Sequence, residues 1–236
     1  MKVLLVIGGS SDLGSNLIKK VYDSYDYVWV HYCGWNKNMD ELKNIGSNKI
    51  EFFEANLTSD EEVQNMISHI EGSGYMPNHI VHFAMSKICI DRFNKLSLDK
   101  VDMDWSISYR SSFKILQAFL PKMAKEKYGK VIFTISSVSF DPTPKYQAGY
   151  ISIKYAMLGL MKSLASEYQD KGICINGVSP DMIQTAFISD LPELMVEQYK
   201  ANRPNNKILT VNDVIPTYVR LLSDDDHTNG ENILIN

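Results

Sequence analysis

The chain has 236 residues, 44% of them hydrophobic, and a formal net charge of -4; it is long enough to bury a sizeable core and too acidic to suggest a nucleic-acid footprint. Its mean hydropathy of -0.18, without a long apolar run, predicts a soluble protein with no membrane span. Cys33, Cys89 and Cys174 are far apart and odd in number, which argues against a disulfide framework or a zinc cluster and fits a reducing, cytoplasmic setting.

Taken in chain order, short β-branched runs alternate with longer amphipathic stretches. The pattern predicts strands at 2–7, 27–33, 49–54, 79–83, 130–135, 173–178 and 232–235, separated by helices at 13–24, 38–45, 60–71, 104–126, 148–169 and 211–222. Ser59 and Thr210 are suitable N-caps. Pro142 and Pro144 interrupt the chain before the 148–169 helix, and the long connection from Pro180 to Pro204 is a candidate substrate lid at 181–206. Strands alternating with crossover helices, with no linker between two halves, imply a single α/β domain over 1–236. The expected architecture is a Rossmann-like doubly wound sheet of about seven parallel strands with helices on both faces.

The first strand runs into Gly8-Gly9-Ser10-Ser11-Asp12-Leu13-Gly14 and then a helix. Such a turn can aim backbone amides and a helix N-terminus at a pyrophosphate; the plainer alternative is a simple strand-to-helix turn. Asp12 stands where a glycine often lets backbone approach phosphate, so its carboxylate is expected to cap the helix and point away. Further on, Val131-Ile132-Phe133-Thr134-Ile135-Ser136-Ser137 leads to Tyr150-Ile151-Ser152-Ile153-Lys154. Residues four apart share a helix face, so the Lys154 ammonium is expected beside the Tyr150 phenol, favouring its ionised form. Ser137 would donate a hydrogen bond to the oxygen on which charge develops. A lone Tyr-x-x-x-Lys pair also occurs on ordinary helix surfaces.

The glycine turn followed in order by Ser137, Tyr150 and Lys154 resembles the short-chain dehydrogenase/reductase family over the whole chain. Phe119-Leu120-Pro121-Lys122-Met123, Gly129-Lys130-Val131, Ile173-Cys174-Ile175-Asn176 and Val178-Ser179-Pro180 are similar to strings of its 3-oxoacyl-thioester reductase branch. The resemblance implies hydride exchange with a nicotinamide cofactor, catalysed by Ser137, Tyr150 and Lys154, with Ser108 at the position of an asparagine that organises a proton relay. It also implies a cofactor site formed by Gly8, Ser10, Ser11, Asp12, Leu13, Gly14, His31, Asn36, Lys37, Asn56, Leu57, Ala84, Met85, Tyr150, Lys154, Pro180, Ile183 and Thr185. The family's Asn-Asn-Ala-Gly reads His82-Phe83-Ala84-Met85 here, Asp181 replaces a glycine after Pro180, and the terminal glycines of relatives are missing.

Tyr32 occupies the position where NAD-dependent relatives carry aspartate, while His31 and Lys37, with Ser10 and Asn36, can accommodate a phosphate. NADP(H) is therefore favoured over NAD(H), although Lys37 reads equally well as a solvated loop lysine. Met85, Phe140, Tyr146, Gln147, Phe187 and Met195 are expected to line the substrate cleft, with Lys87, Arg92 and Lys145 available to an anionic group. Lys127, Lys130 and Lys171 form a candidate docking face for an acyl carrier protein, or complement helix ends. Trp105, Phe113, Phe119, Met157 and Met161 suit either a homodimer or homotetramer contact, as in relatives, or core packing.

The expected function is NADPH-dependent reduction of a ketone or 3-oxoacyl-type carbonyl, with Tyr150 as general acid/base. The alternatives are a cofactor-binding sensor or scaffold with little catalysis, and a dehydrogenase, epimerase or dehydratase acting on a sugar-like intermediate.

Overall fold

A computed structural model describes residues 1–140, 143–201 and 207–236; Pro142, Pro204 and the last five residues of the candidate lid lie outside them. Seven strands form one parallel sheet: β1 Val3–Ile7, β2 Tyr27–Tyr32, β3 Ile50–Glu54, β4 His79–His82, β5 Gly129–Thr134, β6 Ile173–Pro180 and β7 Asn232–Ile235. Their order is β3-β2-β1-β4-β5-β6-β7. The chain moves outward from β1 to β3, then returns to β4 and proceeds the other way. That reversal opens a crevice beyond the C-terminal ends of β1 and β4.

The helices are α1 Asp12–Val21, α2 Lys37–Lys43, α3 Asp60–Ser73, α4 Leu98–Trp105, α5 Ser111–Glu126, α6 Ala148–Glu167, α7 Glu193–Ala201 and α8 Val211–Leu221. Every strand predicted from sequence is present, with ends moved by two residues or fewer. The predicted 104–126 helix begins earlier, at Leu98, and a π-helical turn over Ser106–Arg110 joins α4 to α5. α7, inside the candidate lid, has no counterpart in the sequence reading because its four-residue apolar spacing is short and its charges are mixed. Among the described residues no helix is long and apolar enough to cross a membrane, and all three cysteines are free.

Strand alternation divides the core between the two sheet faces. On one, Val3, Leu5 and Ile7 pack with Trp29, Ile115, Phe119, Met157 and Met161; on the other, Leu4 and Val6 pack with Leu17, Ile18, Val30 and Tyr218. Burying one such side chain stabilises the fold by about 1.5–3 kcal/mol. Phe119, Met157 and Met161 are thus core residues, whereas Trp105 and Phe113 are exposed, with Tyr109 between them on the same helical stripe and stacked on Trp105.

At the N-terminal edge of the sheet, a one-way hydrogen-bond chain holds strand ends together. Tyr25 OH lies 2.7 Å from His79 Nδ1, His79 Nε2 lies 3.0 Å from Tyr128 OH, and Tyr128 OH donates to Asp224 Oδ1 at 2.7 Å. The tautomer that satisfies all three bonds carries its proton on Nε2. Lys130 lies nearby, buried, donating to the carbonyls of Ser223 and Asp226. This corrects the expected docking face: satisfying two backbone acceptors from the interior takes Lys130 off the surface. Lys127 and Lys171 remain exposed, at the strand ends opposite the crevice.

Burial lowers His79 and His82 to about 3 and His31 to about 4. A folded value below the free value near 6.5 means that the unfolded chain binds more protons, so this stability is complete above about pH 6.5 and lost as pH falls toward 4 and 3. Each histidine should contribute a slope of about 1.4 kcal/mol per pH unit in that window. Urea unfolding at pH 7.5 and 4.5 should show a drop of several kcal/mol; equal stability at the two values would contradict the buried neutral rings.

Candidate active site

The glycine turn is built by close backbone approach. Gly8 has φ of 81°, and a Cβ there would lie 2.7 Å from the amide nitrogen of Ala84; one on Gly14 would lie 2.5 Å from the Gly8 carbonyl. Only a residue without a side chain lets the turn after β1 lie against the end of β4. Ser11 is the N-cap of α1: its hydroxyl donates to the Gly8 carbonyl and accepts from Gly14 N–H at 3.0 Å. The first-turn amides of Asp12 and Leu13 have no intrahelical acceptor, as at any helix start, and form the anion-seeking end of α1.

Asp12 does not cap the helix, contrary to the sequence expectation, because Ser11 already does. Its Oδ1 accepts from Asn38 Nδ2 at 3.0 Å and its Oδ2 from Ala186 N–H at 2.8 Å. The carboxylate therefore ties α1 to α2 and to Ala186 in the candidate lid. Asn38 Nδ2 and Asn36 Nδ2 also donate to the Ser10 carbonyl, and Asn36 caps α2. Asn38 escaped the sequence reading because nothing distinguishes a buried bridging asparagine from a helix-start asparagine in one sequence.

His31 requires a second correction. Its Nδ1 accepts from Gly8 N–H at 3.1 Å and its Nε2 lies 2.9 Å from the Ala55 carbonyl, which fixes the proton on Nε2. The ring is buried and neutral, with both nitrogens engaged. It braces the glycine turn from behind and offers no charge to a phosphate. Lys37, at the exposed start of α2, remains of the expected basic pair, while Tyr32 and Glu54 pair at the ends of β2 and β3. Asn56 accepts from Thr58 through its side-chain oxygen and Leu57 is buried beneath it.

On the other side of the crevice, Tyr150 and Lys154 lie on one face of α6, and Ser137 opens a short 3-10 turn after β5. The Lys154 Nζ is 5.6 Å from the centre of the Tyr150 ring and donates to the Thr134 carbonyl at 2.9 Å. Burial pushes the Tyr150 phenol up to about 12, and a hydrogen bond with Ser136 draws it partly back. Burial lowers Lys154 to about 8, opposed by the charge of Asp104. The expected lowering of the phenol by Lys154 is not what this arrangement produces: desolvation dominates both groups. Ser136, rather than Ser137, is the serine whose hydroxyl lowers the phenol.

Ser137 Oγ donates to Asp181 Oδ1 at 2.9 Å, and Tyr199 from α7 donates to the same oxygen. Ser108 is fully buried in the π-turn, with its hydroxyl 2.8 Å from Met85 Sδ; Ser112 donates to the Ser108 carbonyl at 2.6 Å. Met85 therefore meets the relay position directly. Phe187 faces the Tyr150 ring at 6.3 Å between centres, Lys87 pairs with Asp190 at 2.6 Å, and Ile183 bridges to Leu209 beside Thr185. Tyr146, with φ of 65°, is a strained non-glycine residue just before α6, its carbonyl accepting from Asp91 N–H. Phe140, Gln147 and Met195 are partly buried, and Arg92 and Lys145 are exposed. No group of side chains able to hold a metal ion is present among the described residues.

A family model described as "Enoyl-(Acyl carrier protein) reductase" matches residues 27–236. The 3-oxoacyl-[acyl-carrier-protein] reductase FabG of Staphylococcus aureus is 26% identical over 244 residues, spanning 100% of this chain and 96% of its own. Two solved structures share the fold: "ElxO with NADP Bound" has a TM-score of 0.86 at 22% identity, covering 99% and 96% of the two chains. The other, "4-hydroxyisoleucine dehydrogenase complexed with NADH", has a TM-score of 0.89 at 20% identity, covering 100% and 97%.

Gly8→Ala should destabilise the protein by at least about 1–2 kcal/mol, from the left-handed backbone alone, plus the displacement of Ala84. Chemical denaturation of the purified variant measures this; an unchanged midpoint would mean that the turn does not lie against β4.

Proposed function

The chain belongs to the short-chain dehydrogenase/reductase family, and from that premise we propose that it interconverts a ketone or 3-oxoacyl-type carbonyl and the corresponding alcohol, using NADP(H) in preference to NAD(H). General NAD(P)-dependent oxidoreductase activity on carbonyl and alcohol groups is supported by the family and by its relatives. The observation that carries the finer reading is the convergence of Ser137, Tyr150 and Lys154 on one side of the crevice with the glycine turn on the other. The first-turn amides of α1, brought to the crevice by the tight packing at Gly8 and Gly14, suit the pyrophosphate of a dinucleotide.

When bound, the nicotinamide supplies or takes the hydride. Tyr150 holds the proton that goes to the substrate oxygen: with a phenol near 12 it is protonated at neutral pH and serves as general acid in reduction. Lys154, anchored on the Thr134 carbonyl, keeps a positive charge beneath it below about pH 8. Phe187 covers the Tyr150 ring, and with α7 it excludes water and strengthens the local electrostatics. We assign the lid role, for the described part of the candidate lid, to 181–201 on these contacts. Lys37 is the side chain left to favour NADP(H), since His31 is buried; relatives of this fold bind NADP and NADH. A homodimer would use the exposed Trp105 and Phe113 with the half-buried Tyr109 between them, and any acyl carrier protein would meet Lys127 and Lys171.

Titration with NADPH and NADH, followed by nicotinamide fluorescence, should show tighter NADPH binding, and Lys37→Ala should narrow the difference. Tyr150→Phe should cut turnover of 3-oxoacyl esters by at least about a hundredfold, the usual share of general acid catalysis, while nucleotide affinity holds. Absence of nucleotide binding would overturn the reading; retained turnover in Tyr150→Phe would remove Tyr150 from it.

A further inference from the structure

Asp181 sits directly after β6, and its position is set by the sheet: its amide donates to the Ile235 carbonyl on β7 at 2.8 Å. The residue is only 9% exposed. One oxygen, Oδ1, accepts from both the Ser137 hydroxyl and the Tyr199 phenol, and Tyr199 is itself held by the Met182 amide at 3.4 Å. A carboxylate oxygen only accepts, and a serine hydroxyl has one proton. With that proton directed at Asp181, Ser137 meets any other partner through its lone pairs.

This reverses the polarity expected of Ser137 at the reacting oxygen. Tyr150 supplies a donor and Ser137 an acceptor. An alcohol hydroxyl matches that pair, because it accepts from Tyr150 and donates to Ser137. A carbonyl oxygen has no proton to give and faces the serine lone pairs uncompensated. We propose that Asp181 is a positioning residue that holds Ser137 as a hydrogen-bond acceptor, so that the cleft binds a secondary alcohol in preference to the matching ketone. The inference rests on the reading of Ser137 and Tyr150 as the groups at the reacting oxygen and adds a preference that this reading lacks. It is a statement about which oxygen is held better; the same cleft still serves both directions of a reversible step.

Asp181→Asn tests it, because the side chain keeps its shape and gains an N–H donor. Asn at this position can donate to Ser137 Oγ and release the serine proton toward the ligand. Two nonreactive ternary complexes avoid turnover: protein with NADPH titrated with ethyl 3-hydroxybutyrate, and protein with NADP⁺ titrated with ethyl acetoacetate, both by calorimetry. The ratio of the two dissociation constants should move toward the ketone by about tenfold in Asp181→Asn, the worth of one hydrogen bond. In a Ser137→Ala background the same substitution should leave the ratio unchanged, since a merely structural role of Asp181 would act in both backgrounds.

A shift of about threefold or more toward the ketone, present with Ser137 and absent without it, supports the assignment. A smaller shift, an opposite one, one that survives Ser137→Ala, or failure of the nucleotide-bound wild type to take up either probe overturns it. Nucleotide affinity, measured first on each variant, separates the two levels. If the wild type binds no nucleotide, the functional reading itself falls; if nucleotide binds and the ratio stays fixed, only the role of Asp181 does.

Discussion

The close approach of Gly8 to the backbone of Ala84 is the contact on which the rest of the site depends. It occurs where the sheet order reverses, at the ends of β1 and β4, and it requires a residue with positive φ and no side chain. The consequences spread outward. Gly8 N–H is turned to His31, which reaches from β2 to Ala55 just past β3, while the Gly8 carbonyl takes the Ser11 hydroxyl that caps α1. Four strand ends and one helix start are fixed by a single tight turn, leaving the helix amides as the local source of positive potential.

That arrangement explains why a neutral histidine serves where a charged one was expected. A protonated His31 would have to give up the bond from Gly8 N–H, because both ring nitrogens would then be donors. It would also carry charge into a fully packed interior. Asp12 follows related logic. Its two carboxylate oxygens are held by Asn38 and Ala186, so the group joins α1, α2 and the segment at Ala186.

The architecture was legible in the sequence because hydrophobic period and turn residues act locally: alternating Val, Leu and Ile in 3–7 already assigns side chains to the two faces of a buried strand. The order of the glycine turn, Ser137, Tyr150 and Lys154 was legible for the same reason, since i,i+4 spacing survives into the helix. What escaped was set by partners distant in sequence. Lys130 looks like a surface lysine until Ser223 and Asp226 arrive, 93 and 96 residues later, as acceptors. Ser136 and Ser137 are adjacent and chemically alike, and only the tertiary geometry decides which of them donates to Asp181. The π-turn at Ser106–Arg110 likewise leaves no signature in composition.

Within the cleft, desolvation is the stronger influence, and it acts in opposite senses on the two principal groups: it raises the phenol of Tyr150 and lowers the ammonium of Lys154. Burial thus narrows the pH range in which both are protonated at its upper end, through Lys154. Asp104, itself buried and paired with Lys100 at 2.5 Å, counteracts this by favouring the charged lysine from behind. Ser86 joins the same cluster, so the loop after β4, where this chain departs from its family's usual string, is bonded to the carboxylate that supports Lys154. The replacement of a glycine by Met85 is accommodated in the same region by the hydroxyl of Ser108. The loop after β4 and α4 are therefore hydrogen-bonded through Ser86 and Asp104, and a change in either acts on Lys154 through the charge of Asp104.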